Sequence, residues 1–372
     1  MDIQSLLFCY YHDMKKYNSQ HSAVAVIADD LTSAADGAGP FLERGLKVSV
    51  RRSGADASSK GLADVISIDC GSRSMSEKQA AYAVKQAMKM MPDAAIILKT
   101  IDSTLRGHIK VELKAAYEFS GRKKVVIAPA FPSAGRTTRN GVQLVDGVPV
   151  SETSYACDPV HPAKTSRIAD LIPATIKNVV ILNADTQCEL NEQVADFDHP
   201  EEILWVGSPG LAVALAATQF GEKVDKRPIP HSENSLIVVG SANAVSKAQA
   251  KKVQKVKGIS CLSTPEERVE NPDEILSELI QKATRFAKSG DYGALIATGG
   301  DTMETLLDEL HIYEFSLISE FEPGFPVGVA QLANGKDIII AMKAGGFGSD
   351  DTLCRAAEQL IFSRTQLSKV IE

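Results

Sequence analysis

Between Lys99 and Gly107 the chain reads K-T-I-D-S-T-L-R-G, with two cations, one anion and two hydroxyls crowded behind the apolar run Ala94–Leu98. Arg106 has the planar fork that grips a carboxylate or phosphate through two bonds, and Lys99 adds a point charge. The competing assignment is a salt-bridged loop between a strand and a helix, which needs no ligand. A second cluster, Asp29-Asp30-Leu31-Thr32-Ser33, places adjacent carboxylates where the run A-V-A-V-I-A ends. Paired acids there suit the hydroxyls of a polyol or a metal ion, while capping of the following helix would account for one of them. Arg51-Arg52 is a third concentration of charge. Three further stretches are built on glycine: Gly240-Ser241, Thr298-Gly299-Gly300-Asp301-Thr302 and Ala344-Gly345-Gly346-Phe347-Gly348. Glycine lets backbone approach an anion closely, and a helix start supplies free N–H donors, so three such loops in one half of the chain point to a nucleotide. Neither the Walker spacing nor G-x-G-x-x-G occurs, so neither a P-loop enzyme nor a nicotinamide dehydrogenase is supported.

These residues follow short apolar runs: Ala23–Ala28, Leu46–Val50, Val65–Asp69, Ala94–Leu98 and Lys124–Ala128 in the first half, Ser235–Val239, Ala294–Ala297 and Asp337–Met342 in the second. Continuous apolar runs are buried on both faces, and their alternation with helical stretches predicts parallel βαβ units. Ligands of such sheets bind at the carboxyl ends of the strands. Ser76 with Gln79 predicts a capping box for a helix over Glu77–Met90, and Asp146-Gly147 predicts the turn of a hairpin within Gly141–Pro149. Gly221–Glu233, polar and with two prolines, predicts a linker and hinge. The expected fold class is α/β, with two α/β domains of mainly parallel sheets and a ligand cleft between them. An N-terminal extension covers 1–22, a domain suited to a small polar acid covers 23–225, and a nucleotide-binding domain covers 226–372.

A formal charge of -7 removes the usual electrostatic basis for nonspecific nucleic-acid binding, so cations that meet an acidic ligand must be concentrated locally. No run approaches the ~20 apolar residues of a membrane-spanning helix, and Met1–His21 lacks the marks of a secretory signal. Six scattered cysteines without C-x-x-C spacing argue against zinc and a disulfide framework, and for a cytoplasmic location. A homodimer is the default expectation for assembly.

In order along the chain, A-D-D-L-T from Ala28, K-T-I-D-S-T-L-R-G from Lys99, A-P-A-F-P-S-A-G-R-T-T from Ala128, G-V-P-V-S-E-T from Gly147, T-G-G-D-T from Thr298 and K-A-G-G-F-G from Lys343 resemble the four-carbon acid-sugar kinase family. The resemblance spans about Ala23 to Leu360. It implies a sugar acid and ATP as small-molecule partners, with Mg²⁺ on the phosphates, and phosphorylation of threonate, erythronate or 3-oxo-tetronate on the terminal hydroxyl. It further implies acid-sugar contacts at Asp29, Arg51 or Arg52, Lys99, Thr100, Ile101, Asp102, Ser103 and Arg106. Nucleotide contacts would fall on Ser241, Gly299, Gly300, Asp301, Thr302, Gly345 and Gly346. Asp29, Asp30 and Asp351 are alternatives for the catalytic base, and the metal ligands stay open. Ser33 stands where the family usually has glycine, and Asn243-Ala244 where it commonly has serine and proline. The rival readings are a non-catalytic sugar-acid or nucleotide sensor and an aldolase or isomerase of phosphorylated sugars.

Overall fold

The computed structural model describes residues 22–55, 63–91, 94–158, 161–241, 243–265 and 272–361. The expected extension over 1–22 therefore lies, but for Ser22, outside the described residues. In the first unit, strands β1 (Val24–Ala28), β2 (Val48–Arg52), β3 (Val65–Asp69), β4 (Ile96–Thr100) and β5 (Lys124–Ala128) are joined through helices α1 (Leu31–Leu42), α2 (Glu77–Met90) and α3 (Ile109–Ser120). A small sheet of β6 (Arg136–Arg139), β7 (Val142–Val145) and β8 (Val148–Pro149) follows, and then β9 (Val179–Ile181), α4 (Gln187–Ala195), β10 (Ile203–Gly207) and α5 (Pro209–Gln219). The second unit runs β11 (Ser235–Val239), α6 (Ala244–Val253), β12 (Ile259–Ser263), α7 (Pro272–Ser289), β13 (Ala294–Thr298), α8 (Gly300–Glu309), β14 (Glu314–Glu320), β15 (Pro326–Gln331), β16 (Asp337–Lys343) and α9 (Thr352–Ile361).

Local chemistry accounts for these boundaries. Gln79 Oε1 accepts from the Ser76 N–H at 3.1 Å to start α2, completing the expected capping box. Asp146 and Gly147 take φ of 49° and 83°, the pair of positive values that a tight hairpin turn demands. Four strands run further than the apolar pattern predicts. β2 extends through Arg51 and Arg52, β4 through Lys99 and Thr100, β13 through Thr298 and β16 through Lys343, so these six are strand residues rather than loop residues.

The two units are not separate sheets. The strands form one sheet in the order β12-β11-β13-β16-β15-β14-β2-β3-β1-β4-β10-β5-β9, in which β14 joins β2 antiparallel and pairs Glu314 with Arg51. Because β14, β15 and β16 alternate in direction, the parallel strands of the second unit run against those of the first. In a flat sheet their carboxyl ends would lie on opposite edges. From β1 to β13 there are six strand-to-strand steps; at roughly 20–25° of twist per step the accumulated rotation is about 120–150°, which turns the two sets of carboxyl ends toward one another. The contact that results is visible: Glu304 Oε1 in α8 accepts from the Leu31 N–H at the start of α1 at 3.2 Å.

One face of the sheet carries a core continuous across both units, from Trp205, Phe41 and Leu31 to Leu307 and Phe315, while the other face has a separate core in each unit. This changes the expected role of the linker. Val224 N–H donates to Glu43 O at 2.8 Å, Lys226 pairs with Glu320 at 2.9 Å, and Ser232 N–H donates to Leu360 O at 2.9 Å. The segment is thus tied to both units, and any relative motion must also flex the β2–β14 seam and the shared core.

Asp36, partly buried in α1, is pushed up to about 7 by burial and by the nearby carboxylates of Asp30 and Glu320. A folded-state value above the unfolded ~3.9 means that the folded protein holds the extra proton and loses stability as pH rises from about 4 through 7. Asp36→Asn is therefore expected to stabilise the protein by about 1–2 kcal/mol near pH 8, and by about half of that or less near pH 4.5. Denaturant titrations at the two pH values measure the difference.

Candidate active site

At the carboxyl end of β1, Asp29 is 4% exposed. Its Oδ2 accepts from Arg73 Nε at 2.9 Å, and the Arg73 Nη1 reaches Asp30. Asp30 in turn caps α1, with Oδ1 accepting from the Ser33 N–H at 2.6 Å. Arg73 comes from the turn after β3, the strand beside β1, and its own N–H donates to Asp29 O at 3.1 Å. That turn is pinned by two histidines stacked edge to face, His161 bonding to Arg73 O and His108 Nε2 to Met75 O at 2.6 Å.

Behind Asp29, Lys99 is fully buried, with Nζ 2.8 Å from Glu112 Oε2, and Ser72 Oγ donates to Glu112 Oε1 at 2.6 Å. Burial alone would push the Asp29 carboxyl up. Arg73 and Lys99 outweigh it and hold Asp29 below the usual carboxylate range. Asp30 moves the other way, raised by burial and by the Asp29 charge. The pair is thereby divided into an ionised member and a more readily protonated one, the arrangement by which environments assign different roles to neighbouring acids. Among the described residues Asp29 Oδ1 is buried without a hydrogen-bond partner, the kind of polar atom that needs a further group to satisfy it.

The other expected sugar-acid residues divide sharply. Arg106 does not present an open fork: Nε lies 2.8 Å from Asp102 Oδ2, Nη1 lies 3.0 Å from Asp158 Oδ2, and the guanidinium stacks 5.2 Å from the Tyr155 ring centroid. A ligand carboxylate would have to displace one of these acids. Arg51 bonds to Glu314 at 3.1 Å and Arg52 to Asp308 at 2.8 Å, which ties both to the second unit across the seam. Lys99 acts on Asp29 from within the core, and the Ile101 side chain is itself core. Thr100 Oγ1 faces Ile27 O at 3.4 Å, and Ser103 O accepts from Gln143 Nε2 at 2.7 Å. Asp351 belongs to the other unit from the Asp29–Asp30 pair, exposed on the turn before α9 and bonded to Lys252 at 3.0 Å.

In the second unit the expected loops do come together. A Cβ on Gly345 would strike Ser241 Oγ, one on Gly346 would come within 3.2 Å of Asn243 Nδ2, and Gly299, with φ +96°, packs beside Ser241 and Thr302. Gly240 has no room for a side chain against Thr302. Lys343 is buried, and burial lowers it to about 8. Its Nζ donates to Ala344 O and Phe347 O at 2.8 and 2.9 Å, and Gln249 Nε2 holds Phe347 O and Ser349 O at 3.0 and 2.7 Å. The glycine loop is therefore shaped by side chains beneath it. Gly300, the first residue of α8, lies against α1: a Cβ there would be 3.2 Å from Thr32 Oγ1.

A carboxylate turn on one α/β unit, facing a cradle of glycine loops on another, is the architecture of a small-molecule phosphotransferase that brings two ligands together. Comparison with known proteins agrees. Residues 24–180 match the model of a sugar-binding N-terminal domain, and residues 263–353 that of a nucleotide-binding C-terminal domain. A D-threonate kinase of Salmonella typhimurium is 28% identical over 89% of this chain and 96% of its own. A D-threonate kinase of Cupriavidus necator is 30% identical over 91% and 98%. A solved Haemophilus influenzae structure, 20% identical, has the same fold at a TM-score of 0.73 over 91% of this chain and 100% of that one. The chain belongs to the four-carbon acid-sugar kinase family.

Sequence reasoning missed Arg73, Glu112, Asp158 and Glu304. Arg73 had a usable signal, because it follows the strand Val65–Asp69, and loops after neighbouring parallel strands converge. Glu112 and Glu304 lie within helical stretches, where nothing in the spacing distinguishes them from surface acids.

Proposed function

We propose that the protein transfers the γ-phosphoryl group of ATP to the terminal hydroxyl of a four-carbon sugar acid, in the crevice between the Asp29–Asp30 turn and the loops at Gly240, Gly299 and Gly345. The observation that carries this reading is the orphan Asp29 Oδ1, a buried acceptor on the unit opposite a preformed glycine cradle. In phosphoryl transfer the protein mainly positions the reactants and stabilises charge, so a carboxylate held ionised serves by accepting the hydrogen bond of the attacking hydroxyl and fixing its line of approach. The first unit, 23–225, would then hold the sugar acid and the second, 226–372, the nucleotide.

Among the described residues no group of three or more His, Cys, Asp or Glu is arranged to hold a metal. Mg²⁺ would arrive on the nucleotide, since this ion commonly keeps several waters and takes only one or two protein carboxylates. Asp29, whose Oδ1 has no partner among the described residues, would serve as one such carboxylate. When bound, the ion would neutralise charge on the phosphates. No described helix is long and apolar enough to cross a membrane. The ATP requirement and the free described cysteines favour the cytoplasm, and a homodimer is the simplest assembly.

ADP release measured over D-threonate, D-erythronate, 3-oxo-tetronate and common aldonates tests the reading. Turnover is expected on at least one of the four-carbon acids. Nucleotide binding without turnover on any of them would point to a sensor. The cradle has its own test. Gly240→Ala places a methyl against Thr302 and Leu276; overpacking of about 1–3 kcal/mol should appear as a rise of about fivefold or more in the ATP KM. The sugar-acid KM is expected to change little.

A further inference from the structure

The two candidate sites are mechanically joined at one hydrogen bond. Leu31 is the first residue of α1, and its N–H is one of the donors that a helix start leaves without an intrahelical partner. Asp30 caps the same helix through Ser33. The Leu31 donor is taken from the other unit, by Glu304 Oε1 at 3.2 Å. Glu304 lies in the early part of α8, whose opening residues Gly300, Asp301 and Thr302 continue the glycine loop at Gly299. The close approach of Gly300 to Thr32 fixes how near the two helix starts stand. A helix moves as a rigid rod, so a shift of the α8 start on gripping phosphate is passed to α1 at the residue next to Asp30 and two from Asp29. The carboxylate also opposes the positive end of the α1 dipole, which favours its place there. The seam ion pairs Arg51–Glu314 and Arg52–Asp308 hold the units together at strand β2. Glu304 reaches the acceptor turn.

We propose that Glu304 is a positioning residue that couples occupancy of the nucleotide loops to the setting of the Asp29–Asp30 turn, so that bound nucleotide strengthens sugar-acid binding. The proposal rests on the kinase reading above. Calorimetry on the full chain, with the fastest acid of the ADP-release screen and AMP-PNP as nucleotide probe, tests it. In the unaltered protein, saturating AMP-PNP is expected to lower the sugar-acid Kd by about fivefold or more. In Glu304→Ala that ratio should fall below about twofold, and kcat about tenfold, with AMP-PNP affinity unchanged. Glu304→Gln keeps an oxygen to accept the Leu31 N–H and should restore the ratio. Glu304→Met, which fills the volume without an acceptor, replaces the Ala variant if that one does not fold. A ratio of one in the unaltered protein, full coupling in the Ala or Met variant, or a Gln variant no better than Ala would each overturn the proposal. If the unaltered protein turns over none of the acids, the kinase reading itself fails. Turnover with coupling intact in the Ala or Met variant removes only the role of Glu304.

Discussion

Asp29→Asn is expected to reduce kcat by about 10²–10⁴ while leaving ATP affinity within about twofold. The reasoning starts from charge. Arg73 and Lys99 hold Asp29 ionised despite its burial, and its Oδ1 has no partner among the described residues. An amide at this position keeps the size and an acceptor oxygen but removes the full charge that orients a hydroxyl and opposes the two cations. The neighbouring residue supplies the control. Asn is as good a helix cap as Asp, so Asp30→Asn preserves the bond to Ser33 and should cost less than about tenfold in kcat. Steady-state kinetics on the two variants, with AMP-PNP titration as the check on the nucleotide side, separates the roles. Equal losses in both would mean that the pair acts as one unit and that Asp29 has no special place in it. A loss confined to Asp30→Asn would transfer the assignment to Asp30.

The strands of the α/β units were legible because most begin as short apolar runs followed by polar residues, so the elements, and the placing of candidate sites at their carboxyl ends, follow from pattern. The joining of the units was not. It depends on β14 and β15, where E-F-S-L-I-S-E alternates buried and more exposed positions before the turn at Gly324. The period of two was present in the sequence, but nothing there states that its partner is β2, more than 250 residues earlier by the pairing of Glu314 with Arg51. The same limit applies to the cations. Side-chain type marks Arg51, Arg52 and Arg106 as able to bind an anion, and in the fold all three do so, but the anions are Glu314, Asp308, Asp102 and Asp158 of the same chain. Spacing identifies a capacity, whereas the partner is fixed by tertiary placement. The glycine loops follow from residue type more directly, because glycine is needed wherever other backbone or side chains come close: Gly240 and Gly345 have Thr302 and Ser241 where a Cβ would sit.

The largest stability effect is expected from Glu112→Gln. Lys99 and Glu112 are 0% and 3% exposed, with Nζ and Oε2 2.8 Å apart, and each is satisfied further by Thr100 O and Ser72 Oγ. Removing one charge of a buried pair leaves the other without compensation in a poorly solvating interior, at a cost of about 3–5 kcal/mol. Urea denaturation should register that loss as a lower midpoint with an unchanged slope. Replacing both residues with apolar ones of similar volume, Lys99→Met with Glu112→Leu, removes both desolvated charges together and should recover most of the stability. It should not recover activity. Lys99 helps Arg73 keep the Asp29 carboxyl low, so without it burial has less opposition and Asp29 shifts toward its protonated form. The pH dependence provides a sign check on the pair. Burial alone would depress the Lys99 ammonium, but Glu112 and Asp29 raise it above its ordinary value. Its stabilising contribution is therefore intact below the unfolded lysine value of ~10.4 and is lost only as pH rises through the elevated folded one. The destabilisation of Glu112→Gln relative to the unaltered protein should accordingly persist at neutral pH and narrow only under strongly alkaline conditions. A double variant that is stable and inactive would separate the two duties of Lys99, holding the core and setting the charge of Asp29. A double variant that is stable and fully active would leave Lys99 a purely structural residue.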